Sequence, residues 1–201
     1  CMCPGGEVMS ASSGTGQMPV NGMSSRARGS GFANSGVVAS VAPGEFGGEE
    51  RDPVLSGISF QEGIEGAAFE RGGGRFGIPA ANLLAFLHGR DFPHSPGRAL
   101  APSVARDTLR GILPARLEEE LRFGLLRFGE AMRGFLTREA TLYAVESRTS
   151  SPVRIERANY ESVSHKGLYP VGEGAGYAGG IVSSAVDGIR AALRVLETYS
   201  G

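Results

Sequence analysis

The chain has 201 residues, 20 basic and 21 acidic, and a net charge of −1. That length can bury a real core as one domain or two small ones. The balanced charge offers no footprint for a polyanion partner. Gly at 32 of 201 is about twice the usual ~7%, but the excess sits in turns and follows no repeat, which excludes a collagen-like chain.

In chain order, Cys1 to Gly6 is a turn-rich opening. Glu7–Ala11 and Pro19–Met23 read as the strands of a hairpin, and Val37–Val41 as a further strand ended by Pro43-Gly44. Two thiols fall short of a structural zinc site, which wants four ligands. A Cys1–Cys3 disulfide spans an awkwardly short loop. Cys3 thus stands either as an ordinary reduced thiol or as a redox thiol. A helix is expected over Ser59–Arg71, with Phe60, Ile64, Ala67 and Ala68 on one face and Gly72-Gly73-Gly74 ending it. Pro79 suits a first helical turn, so Ala80–Leu87 reads as a short buried helix. Asp91–Pro102 reads as a surface loop. Ser103 is placed to cap a helix over Val104–Leu113. After Pro114 a longer helix, Ala115–Phe135, carries the stripe Leu117, Leu121, Leu125, Phe128, Met132 and Phe135, which we expect to be buried within its own domain.

Thr141–Glu146 and Val153–Glu156 are strand candidates. Between them, Arg148-Thr149-Ser150-Ser151-Pro152 gathers hydrogen-bond donors beside a stiffening proline. Arg148 and Arg154 are either surface charges or groups that hold an anion. The stretch Gly167 to Leu196 organises the rest. Gly167–Val171 has the composition of a buried strand, and Gly172, Glu173, Gly174, Ala175, Gly176, Gly179 and Gly180 form a glycine turn. From Ile181 a helix repeats Val182, Ala185, Val186, Ile189, Ala192, Leu193 and Leu196 on one face. Strand, glycine turn, helix is the geometry that presents backbone N–H groups and a positive helix end to an anionic or electron-rich ligand. Gly174, Gly176 and Gly179 match G-x-G-x-x-G. The second strand and acidic residue of an opening nucleotide-binding unit do not follow, so the unit reads as a closing one. The alternative is a tight turn whose glycines only let helix and strand pack closely.

Three runs, CMCPGGEV at Cys1–Val8, RTSSPVRI at Arg148–Ile155 and GLYPVGEGAGYAGGIVSSAVDGIRAA from Gly167, resemble the C-terminal part of bacterial and plastid-type FAD-dependent dehydrogenases. These belong to the two-dinucleotide-binding-domain flavoproteins. The resemblance implies an α/β (α+β) fragment, with a cap or substrate-type region over 1–138 and the closing strands and helix of a Rossmann-like FAD/NAD(P)-binding domain over 139–201. It implies FAD as cofactor, NAD(P)H as a possible electron donor and a small-molecule substrate, with no nucleic acid or membrane partner. Gly172, Glu173, Gly174, Ala175, Gly176, Gly179, Gly180 and Ile181 are then the cofactor-binding residues, and Cys3 and Arg148 the catalytic candidates. The compartment implied is the cytoplasm in a bacterium or the plastid stroma in a plant or alga. The FAD-binding half is expected upstream of Cys1, and the fragment alone is expected to be inactive. Two other readings stay open: a noncatalytic flavin- or nucleotide-binding module, and a flavin-dependent RNA-modifying enzyme, against which the neutral charge weighs.

Overall fold

The computed structural model describes residues 5–12, 14–46, 53–89 and 103–200. Cys1, Cys3 and the whole of the expected loop Asp91–Pro102 lie outside the described residues. Two compact units divide the chain: Cys1–Val41 with Gln61–Ser147, and Ala42–Phe60 with Arg148–Gly201.

In the first unit, β1 (Gly6–Ser10) and β2 (Val20–Ser24) form the expected antiparallel hairpin. Helix α1 (Ser56–Arg71), which belongs to this unit from Gln61 onward, ends at the glycine triplet, as its sequence predicts. The centre of the unit is β3 (Gly77–Asn82), buried at every position. It pairs in parallel with β4 (Ser103–Arg106) and antiparallel with β5 (Thr141–Tyr143). Around it Met18, Ala68, Ile78, Leu83, Phe86 and Leu125 belong to one apolar core.

Here two expectations are corrected. Residues 80–82 are strand, and helix α2 covers only Leu83–His88. A strand buried on both faces shows no alternation, so periodicity could not separate it from a buried helix. Pro79 lacks a ladder N–H, yet its carbonyl still accepts from the Ala144 N–H at 3.1 Å. The cap of α2 is Asn82, whose side chain accepts from the Leu84 and Ala85 amides (2.9 and 3.2 Å) and donates to the Arg138 carbonyl at 2.6 Å. Residues 104–106 are likewise strand, not helix: pairing with β3 outweighs the capping signal of Ser103. Past β4, the Asp107 carboxylate accepts from the Leu109 amide at 2.6 Å and turns the chain.

Helix α3 (Ala115–Ala131) forms as predicted but stops short of Phe135. Of its stripe, Leu117 and Leu125 are buried, whereas Phe128 and Met132 are exposed. The Val37–Val41 expectation fails: these residues join no strand ladder, and Val38 is exposed.

The second unit holds a two-residue pairing, β6 (Arg157–Ala158) with β7 (Glu161–Ser162), and the helix α4 (Ile181–Tyr199). The Phe46 and Phe60 rings meet at 5.8 Å. Neither Val153–Glu156 nor Gly167–Val171 is a strand. Pro170 removes one ladder donor; the Leu168 carbonyl accepts from the Ser162 N–H of β7 at 2.8 Å, and the Ile155 N–H donates to Ala175 O in the glycine turn at 3.2 Å. The mixed α and β elements hold; the Rossmann-like expectation remains a proposal.

Candidate functional site

The glycine turn between Pro170 and α4 is rigidly held. Gly172 (φ 74°) and Gly176 (φ 81°) take left-handed backbone, which a residue without Cβ adopts freely. Gly176 also lies so close to its neighbours that a Cβ would sit 2.5 Å from the Val153 carbonyl oxygen. Its N–H donates to Glu173 O at 2.9 Å, and the Tyr177 N–H donates to Gly172 O at 3.1 Å. The segment before β6 clasps the same turn. Ser151 Oγ donates to Gly174 O (3.2 Å), Arg154 Nε to Gly176 O (3.0 Å), and the Tyr177 hydroxyl to Ile155 O (3.1 Å).

At the base of the turn lies an ion pair that sequence reasoning missed. Arg157 donates from Nη2 to Asp187 Oδ1 (2.7 Å) and from Nη1 to Asp187 Oδ2 (2.9 Å) and the Pro170 carbonyl (2.8 Å). Asp187 Oδ2 also accepts from the Gly172 N–H at 2.9 Å. The guanidinium lies 3.6 Å from the Tyr177 ring centre and 4.5 Å from that of Tyr160. Both charged side chains are nearly buried, at 11% and 13% exposure. Hydrogen bonding from Arg157 holds the Asp187 carboxyl below its ordinary range, and the Gly172 amide adds to this. The same pairing raises the Arg157 guanidinium. No motif marks the pair: Asp187 shares α4 with Ser183, Ser184, Arg190, Arg194 and Glu197, so its carboxylate does not stand out.

Above this base the turn opens outward. Glu173, Gly174, Gly179, Gly180 and Ile181 are exposed, Gly172 and Gly176 partly so, and Ala175 is buried. A Cβ placed on Gly174 or Gly179 would meet nothing within 4 Å. Gly180 caps the start of α4, and its carbonyl accepts from the Ser184 amide at 2.9 Å. The N–H groups of its first turn therefore have no partner within the helix. Arg154 is not a loose surface charge, since it is bonded to Gly176 and stacked 5.1 Å over Tyr177. Arg148 opens the clasping segment and is exposed, as are Thr149 and Ser150.

A family model described as FAD-dependent protein, C-terminal domain-like, matches residues 1–149. The chain belongs to that family. It is also 40% identical over 204 residues, 99% of its own length, to an uncharacterized protein of Clostridium beijerinckii. The chain spans 37% of that relative's length. This FAD-dependent C-terminal domain thus stands in a flavoprotein context. The matched residues stop before the glycine turn, which the longer alignment to the relative includes. None of the described helices is long and apolar enough to cross a membrane.

Proposed function

We propose that this chain is the C-terminal part of an FAD-dependent oxidoreductase acting on a small molecule, and that the turn Gly172–Ile181 faces the flavin. The observation that carries the reading is the outward rim of Glu173, Gly174, Gly179 and Gly180 on a turn braced from below. A rigid backbone positions a ligand at little entropic cost, and the space over Gly174 and Gly179 lets a planar ring system approach. FAD, when bound, supplies the hydride chemistry.

The chain's own residues bind and tune. The Glu173 carboxylate accepts hydrogen bonds from ribityl or ribose hydroxyls. The first-turn amides and positive end of α4 favour negative charge at the ligand edge facing them. Arg148 is the candidate to hold an anionic substrate group or the flavin's pyrimidine edge. With net charge −1 and no basic stripe, a small substrate fits better than RNA. NAD(P)H is the electron donor to try first.

The test is the full-length polypeptide carrying this sequence. It should purify with bound flavin, bleach with NAD(P)H or dithionite, and recover its colour with turnover. Glu173→Ala should weaken FAD binding about 10- to 100-fold, the worth of a charge-assisted hydrogen bond. Bleaching without turnover would favour a noncatalytic module. A colourless protein with no affinity for added FAD would end the flavin reading.

A further inference from the structure

Helix α4 is seated the wrong way round for a finished domain. Its outer face carries Val182, Val186, Ile189, Leu193 and Leu196, which are 76%, 39%, 61%, 54% and 60% exposed. At 100° per residue these side chains, with Ala185 and Ala192, cover an arc of about 120°. The opposite side of the helix, which faces its own unit, offers only Ala191 and the ion-paired Asp187 as well-buried groups. An amphipathic helix normally buries the stripe and shows water the remainder. Within the second unit, Pro170, Ala175 and Ala191 carry the buried apolar side chains among the described residues. Two alanines and a proline are not the core of a domain.

We propose that the outer face of α4 is the seat of another portion of the same polypeptide, packed over Val182–Leu196 as the missing wall of this unit's core. This rests on reading the chain as part of a longer protein, as does the functional proposal above. The relative's length supports that occupant: the chain covers 37% of it, so most of the relative's sequence is available to pack here. Dimensions argue against a second copy. A 19-residue helix is about 28 Å long and about 10 Å wide. That footprint of about 300 Å² falls well below the ~800 Å² per partner of a stable interface. A segment of the same chain needs no such area, because it pays no association entropy. The arc is also wider than the two-position seam of a coiled coil, and suits packing against a sheet or a mixed core.

The experiment is thiol labelling with mass-spectrometric readout of each peptide. Ile189→Cys, Leu193→Cys and, as a control off the stripe, Arg194→Cys are made in the 201-residue chain and in the full-length polypeptide. Circular dichroism verifies that each variant folds. We expect labelling at 189 and 193 to be at least about 10-fold slower in the full-length protein than in the chain, as for residues reached only by local opening. That slowing should not change with protein concentration, and position 194 should react at similar rates in both. Equal rates in the two proteins would overturn the proposal. So would protection that disappears on dilution, which would make the occupant a second copy, or slow labelling in the 201-residue chain itself, which would place the cover within these residues. Flavin absorbance is read on the same samples: protection without flavin would keep the docking and refute only the cofactor.

Discussion

Removing the Asp187 carboxylate tests whether the base of the glycine turn stands on its ion pair. Asp187→Ala leaves the Arg157 guanidinium, 11% exposed, without its counter-ion, and takes the acceptor from the Gly172 N–H. Breaking a buried pair from one side costs about 3–5 kcal/mol. Here Arg157 keeps the Pro170 carbonyl and its stacking on Tyr177, and some solvent reaches both groups, so we expect about 2–3 kcal/mol. Arg157→Ala also loses the stacking and the Pro170 bond and should cost about 3–4 kcal/mol. The double variant should cost no more than Arg157→Ala alone, giving a coupling of about 2–3 kcal/mol, the full single cost of Asp187→Ala. Hydrogen exchange read by mass spectrometry across Gly172–Tyr177 and α4 measures this locally, which suits a chain of two units better than one global unfolding curve.

The pair has a pH signature too. The folded Asp187 carboxyl lies below its unfolded value, so its contribution is complete above about pH 4, the unfolded range. It is lost as pH falls through the folded value. Asp187→Asn should flatten that acid limb. Additive single costs, or a loss below about 0.5 kcal/mol for Asp187→Ala, would refute the reasoning.

Two further outcomes are expected. Gly176→Ala forces a methyl to 2.5 Å from Val153 O at φ 81°, and should destabilise the second unit by about 2–4 kcal/mol. Gly174→Ala, with open space around it, should stay within about 0.5 kcal/mol; the same exchange measurement compares them. In the first unit, Asn82→Ala removes both cap bonds to α2 and the donor to Arg138 O. Urea unfolding should register a loss of about 2 kcal/mol, with Asn82→Asp intermediate because it caps but cannot donate.

The sequence is legible where hydrophobic period or turn chemistry marks an element, whether or not its apolar face is covered. The hairpin Gly6–Ser24, α1, α3 and α4 stand within a few residues of their expected bounds for that reason. The reading failed where tertiary pairing decides. Ile78-Pro79-Ala80-Ala81 is strand because β4 and β5 flank it, and Ser103–Arg106 is strand because β3 is its neighbour. Neither neighbour is visible from a local window. At the site, the glycines announced a turn, but its brace did not show: Arg157 and Asp187 lie 30 residues apart and match no motif.

Every clasp on the glycine turn spans a modest stretch of chain. Arg157 reaches Pro170 across 13 residues, Asp187 reaches Gly172 across 15, and Arg154 reaches Gly176 across 22. Closing loops of that size carries a small entropic toll, and short-range contacts assemble quickly. The bracing of this turn can therefore take shape early in folding, from residues 148–190 alone. An exposed turn would then be set by contacts from within its own unit, ahead of whatever later lies against it.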